Sequence, residues 1–185
     1  MNESGATAAG PPPGEDVDAV ELQLGRVPRG LTAVAHRCPC SLPDVVETAP
    51  RLADGTPFPT LYYLTCPRAN AALSRQEAAG VMRDMTARLH ADPDLRERYR
   101  AAHVDYVRRR DAAAVAAGVK PLPPGTQSAG GMPDRVKCLH ALAAHALAVP
   151  GVNPLGAEAV EAAGQWWQAG RCVTRDGTPG REAAR

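Results

Sequence analysis

The chain has 185 residues, with 21 basic and 20 acidic side chains and a formal net charge of +1. Leucine, valine and phenylalanine together supply only 32 residues, isoleucine none and alanine 35. These figures exclude a large hydrophobic interior and the clustered basic surface of a general nucleic-acid binder, and they suit one domain whose thin core a metal ion could staple.

Residues 1–15 and 174–185 are rich in glycine, proline and alanine without periodicity. They read as disordered tails around a single domain, 16–173. The first residues lack the basic start and apolar stretch of a signal peptide, and no apolar run reaches the roughly 18 residues of a membrane span. The expected location is therefore the cytoplasm, without membrane insertion, where the five cysteines stay reduced.

In chain order, Asp16 caps a short helix that runs to Leu24 and stops at Gly25. Leu31–His36, Val45–Thr48 and Leu61–Thr65 are β-leaning runs, the last two separated by an Asp54-Gly55 turn. Pro67 opens helical sequence to about residue 90, with Gly80 a bend. Asp92-Pro93 opens another helix to about Ala117, proline fitting its first turn. After a proline- and glycine-rich loop, Pro133 opens a helix to about Ala148, and a last short helix carries Trp166-Trp167. The fold class is α+β: a small antiparallel sheet of two to three strands within residues 31–66, packed against four or five helices.

Cys38 and Cys40 share one side of extended backbone, Cys66 ends the last strand and Cys138 sits in the Pro133 helix. Four thiols on two loop edges and one helix suit a tetrahedral thiolate site, so Cys38, Cys40, Cys66 and Cys138 are the expected metal ligands. Zinc is the expected metal and an iron–sulfur cluster the alternative, with His36, His145 or Cys172 as substitute ligands. Helical phase across that segment sets His140 about 160° from Cys138, which argues against one ion holding both. Cysteines are equally well explained as small buried residues.

Two further patterns carry chemistry. Tyr99, His103, Tyr106 and Arg110 recur on one face of the Pro93 helix, making His103 a weak candidate for acid–base catalysis. Gly130 and Gly131, running into the Pro133 helix with Arg135 and Lys137 behind them, form a candidate anion site at a helix start. Trp166-Trp167 reads as a clamp over the thin core.

The blocks HRCPC, DGTPFPTLYYLTCP, RVKCLHALAAH and GVNPLG together resemble the bacterial domain of unknown function 501 family, over roughly residues 22–173. The resemblance implies a small cytoplasmic protein of GC-rich actinobacteria, encoded near a septum-formation initiator protein, and brings no activity with it. It places Cys38, Cys40, Cys66, Cys138, His140 and His145 within the shared blocks. The functional expectation is a metal-binding thiolate-site protein. An enzyme acting on an anionic small molecule and a non-catalytic adaptor with a partner in cell division are the alternatives.

Overall fold

The computed structural model describes residues 12–173; the expected tail 174–185 lies outside them, as does most of the tail 1–15. Helix α1 (Gly14–Leu24) begins inside the last residues of that first tail and ends on left-handed Gly25. Strands β1 (Leu31–Arg37), β2 (Pro43–Thr48) and β3 (Tyr62–Leu64) form one antiparallel sheet in the order β1-β2-β3. The expected turn at Asp54-Gly55 closes the β2–β3 connection, with Gly55 N–H on the Leu52 carbonyl and Thr56 N–H on the Asp54 side chain.

The two-residue period of the strands separates two faces. Val45 and Leu64 are paired across β2 and β3 and lie in the main core with Tyr62, Leu139 and Leu142. Val46 and Tyr63, the next pair, instead line a hollow with Leu24 of α1. Arg37 and buried Asp16 tie α1 to the sheet with a hydrogen bond of 2.8 Å.

The helical half comprises α2 (Pro67–Ala78), α3 (Val81–Ala91), α4 (Pro93–Ala116), α5 (Leu139–Ala148) and α6 (Pro154–Ala163). With α1 this makes six helices among the described residues, against the four or five expected. Gly80, at φ 88°, breaks the stretch after Pro67 into two helices rather than bending one. Asp92 caps α4 through the Leu95 N–H, as Asp-Pro sequences favour. The last short helix ends at Ala163, so Trp166 and Trp167 stand beyond it as an edge-to-face pair, with Trp166 against the core. No helix among the described residues is long and apolar enough to cross a membrane.

Helix α4 buries Leu95, Tyr99, Ala102, Tyr106, Arg110 and Ala114, one stripe of helical period. The polar tips on that stripe are used to hold backbone. Tyr106 accepts the Leu61 N–H at 2.6 Å, and Tyr99 donates to the Arg135 carbonyl at 3.2 Å. Arg110, 2% exposed, donates to the carbonyls of Gln127 (2.7 Å), Thr126 (3.2 Å) and Pro59 (3.4 Å), fastening two long connections to one helix. Methionine at position 110 would preserve most of the volume and strand these carbonyls. Arg110→Met should cost about 2 kcal/mol, read as a lower urea midpoint at unchanged slope.

Candidate metal centre

The segment before α5 departs from the expected helix. Gly130 and Gly131 adopt positive φ (61° and 94°), and the Arg135 and Lys137 N–H groups bond back to the carbonyls of Gly131 and Gly130. A Cβ on Gly131 would sit 2.6 Å from the Arg135 carbonyl oxygen, so the glycines serve a tight chain reversal. With those N–H groups committed and no helix start at Pro133, the proposed anion site at Gly130, Gly131, Arg135 and Lys137 loses its physical basis. The helix starts instead at Leu139, because the Glu77 carboxylate accepts the Leu139 N–H at 2.7 Å and supplies the cap from another helix.

That shift of start changes who meets whom. Cys138 becomes the extended N-cap residue (φ −155°), outside the helical phase that separates it from His140. Its Sγ now lies 3.8 Å from His140 Nδ1, and Glu77 Oε1 lies 3.1 Å from the same nitrogen. The expected separation of about 160° between Cys138 and His140, which argued against one ion holding both, is thereby corrected. Glu77, Cys138 and His140 each direct one ligand atom into a common space, all within 4.8 Å of one another.

Helix α2 builds the other side. Asn70, Ser74 and Glu77 fall at i, i+4 and i+7, hence on one face, and all three touch the same imidazole. The ring's Nε2 meets the Asn70 carbonyl at 3.1 Å and Ser74 Oγ at 3.2 Å. A carbonyl only accepts, so Nε2 carries the hydrogen and Nδ1 is the nitrogen turned toward Cys138 and Glu77. The hydrogen bond with Cys138 and the Glu77 charge outweigh burial and raise the His140 pKa to about 9. The half-buried sulfur and imidazole open on a cleft of ≈ 580 Å³ that also borders Leu24, Tyr63 and Pro67.

The other sequence candidates lie elsewhere. Glu77, Cys138 and His140 are the one group of three or more Cys, His, Asp or Glu ligands that converge among the described residues. The four thiols therefore do not share a point. Cys38 and Cys40 lie in the β1–β2 turn, and burial pushes the Cys38 thiol up to about 12. Cys66 and Cys172 are free thiols buried in the main core. Cys66 is buried beneath the cleft that Cys138 and His140 border and is not among its lining residues. His36 is half-buried, with Nδ1 2.7 Å from buried Asp44 Oδ1. His103 bonds Ser128 Oγ at 2.8 Å on the flank of the α4 stripe, its pKa lowered by burial and by Arg110. Nothing in that placement assigns it a catalytic partner.

His145 is a core histidine, fully buried, stacked on Tyr62 at 5.9 Å and edge-on to Tyr106 at 5.2 Å. Burial lowers its pKa to about 4. The two imidazoles thus pull stability in opposite directions with pH. Raised His140 adds stability that is fully present below pH 6.5 and lost as pH climbs through about 9. Depressed His145 adds stability that is present above pH 6.5 and lost as pH falls toward 4. Thermal midpoints of chelator-treated protein should peak near pH 6.5, and His140→Gln should flatten the alkaline arm.

Sequence reasoning named Cys138 as a ligand but set His140 apart from it and missed Glu77, which has no local signal because its partners lie some sixty residues onward. A family model described as Protein of unknown function (DUF501) matches residues 34–161. No curated protein and no solved structure matches the chain.

Proposed function

From the premise that the chain belongs to this family of unknown function, we propose that it binds one zinc ion through Glu77, Cys138 and His140. The observation that carries this is the spacing of the three ligand atoms. Tetrahedral zinc with ordinary bond lengths sets nitrogen and oxygen ligands about 3.4 Å apart and sulfur and nitrogen about 3.6 Å apart. The corresponding separations are 3.1 Å and 3.8 Å. Two outer contacts support the reading. A zinc-bound histidine characteristically donates its other ring N–H to a carbonyl, as His140 does to Asn70, and ligating carboxylates are held by a hydrogen bond, as Glu77 is by Leu139.

The donor set also narrows the metal. One sulfur with a nitrogen and an oxygen suits zinc better than an iron–sulfur cluster, which is held chiefly by thiolates. Three protein ligands leave a fourth position for water or a ligand from the cleft, the pattern of zinc sites that are not purely structural. A cytoplasmic setting, where thiols stay reduced, keeps Cys138 available to the metal.

The test is metal content of the purified full-length chain together with cobalt substitution. Close to one zinc per chain is expected, and cobalt should give a sulfur-to-metal charge-transfer band that disappears in Cys138→Ser. Folded protein that holds neither zinc nor cobalt would overturn the proposal.

A further inference from the structure

Val46 and Tyr63, paired across β2 and β3 and turned away from the main core, face a hollow of ≈ 220 Å³ beside the end of α1. Its floor is Val46 and Thr48, 2% and 4% exposed. The Thr48 hydroxyl is spent on the Thr60 carbonyl, so the floor offers no free hydrogen-bonding group. Half-buried Leu24, Leu31, Phe58 and Tyr63 form the walls, two of them aromatic.

The mouth has a different character. Arg26 and Arg29, both exposed, flank it from the segment that joins α1 to β1. Among the described residues Arg26 bonds only the neighbouring Val27 carbonyl, and Arg29 acts on Asp54 at longer range without an ion pair. The hollow is thus apolar below and cationic at its rim. Main-chain hydrogen bonds pin both sides. Gly30, at φ 66°, offers its carbonyl to the Ala49 N–H at 2.7 Å, and the Phe58 N–H donates to the Pro50 carbonyl at 2.8 Å. The walls are therefore preformed, and a ligand need not organise them.

We propose that this hollow binds a small aromatic carboxylate, with the ring inward and the carboxylate at the two arginines. Volume sets the size: an apolar cavity of about 150 Å³ holds benzene, so this one takes a ring with a short side arm. Phe58 and Tyr63 favour an aromatic ring through offset or edge contacts. The guanidinium groups favour a carboxylate, which their planar fork of donors matches in shape and charge. A neutral ligand would leave the rim charges unused, and a small anion such as acetate would leave the apolar floor unfilled. Leu24 and Tyr63 also border the cleft beside the zinc ligands, but binding in the hollow needs no metal.

The experiment titrates the full-length chain with phenylacetate, phenylacetamide and acetate, with and without prior removal of metal, and follows assigned backbone amides by NMR. Val46, Thr48 and Phe58 report on the site, because they line this hollow and not the cleft. Phenylacetate should shift their amides saturably, with a Kd of about 1 mM or tighter, equally in both metal states. Phenylacetamide should bind about tenfold more weakly, and acetate should leave these amides unmoved. Raising the salt to about 0.5 M should weaken phenylacetate alone. In the double variant Arg26→Gln, Arg29→Gln, which alters only exposed side chains, phenylacetate should fall to the affinity of phenylacetamide. No saturable shift up to about 10 mM phenylacetate, equal binding of acid and amide, or binding that requires metal would each rule the site out.

Discussion

Replacing Cys138 with serine is expected to weaken zinc binding on the order of 10³-fold, measured by competition with a chromophoric chelator. Apparent zinc binding energies of about 10–16 kcal/mol are shared among some four ligands, so a lost sulfur removes a large fraction. Glu77→Gln and His140→Ala should fall in the same range, because each removes one of the three converging atoms. Ser74→Ala, which touches only the far side of the His140 ring, should cost about tenfold, as outer contacts do. Cys40→Ser is the control: its sulfur lies at the β1–β2 turn with Cys38, and zinc affinity should not change. Zinc at 100 times its Kd should stabilise the wild type by about 2.7 kcal/mol, and the Cys138 variant should lose this gain. The affinity should also fall by at least tenfold per pH unit below about 9, because zinc displaces the proton from His140 Nδ1. Unchanged affinity in Cys138→Ser, or equal losses in Cys40→Ser, would refute the three-ligand assignment.

Gly156→Ala should be the most destabilising single methyl added to the helical half. Gly156 lies in the first turn of α6, its N–H held by the Asn153 cap at 2.9 Å. A Cβ there would stand 2.1 Å from the Leu142 carbonyl oxygen and 3.0 Å from Ala146 Cβ, both on α5. The nearest obstacle is backbone, so no rotamer change relieves it and the two helices must separate. Leu142 and Leu155, both fully buried, would lose contact in consequence. A cost of about 3 kcal/mol is expected, at the upper end for overpacking, with a fall in thermal midpoint of roughly 6–12 °C. Gly14→Ala, with nothing within 4 Å of the added methyl, should be nearly neutral. A Gly156→Ala midpoint within a degree of wild type would show that the α5–α6 contact is looser than described.

Much of the secondary structure was legible because its causes are local. β-leaning runs marked the three strands, Asp-Pro opened α4 and Gly25 ended α1, whereas Gly80, expected to bend one helix, broke it into two by taking positive φ. The α4 stripe was legible as a face, although Arg110 proved to hold carbonyls and His103 to flank it rather than to line a pocket. The start of α5 was misread. Pro133 is an acceptable first residue of a helix, but the Gly130–Lys137 reversal satisfies its own backbone and Glu77 caps Leu139 from across the fold.

That single displacement decided the site. In sequence, Cys138 and His140 were visible as members of one short block, while the thiols suggested a four-sulfur centre by residue type alone. Composition and local pattern determined the thin core, the α+β class, the element order and the pool of available ligands, since each follows from propensity, periodicity and charge within a few residues. Only tertiary structure decided which ligands meet. It brought Glu77 beside His140, buried Cys66 and Cys172 in the core and left Cys38 and Cys40 at the β1–β2 turn, because ligand geometry depends on distances between elements that no local interaction encodes.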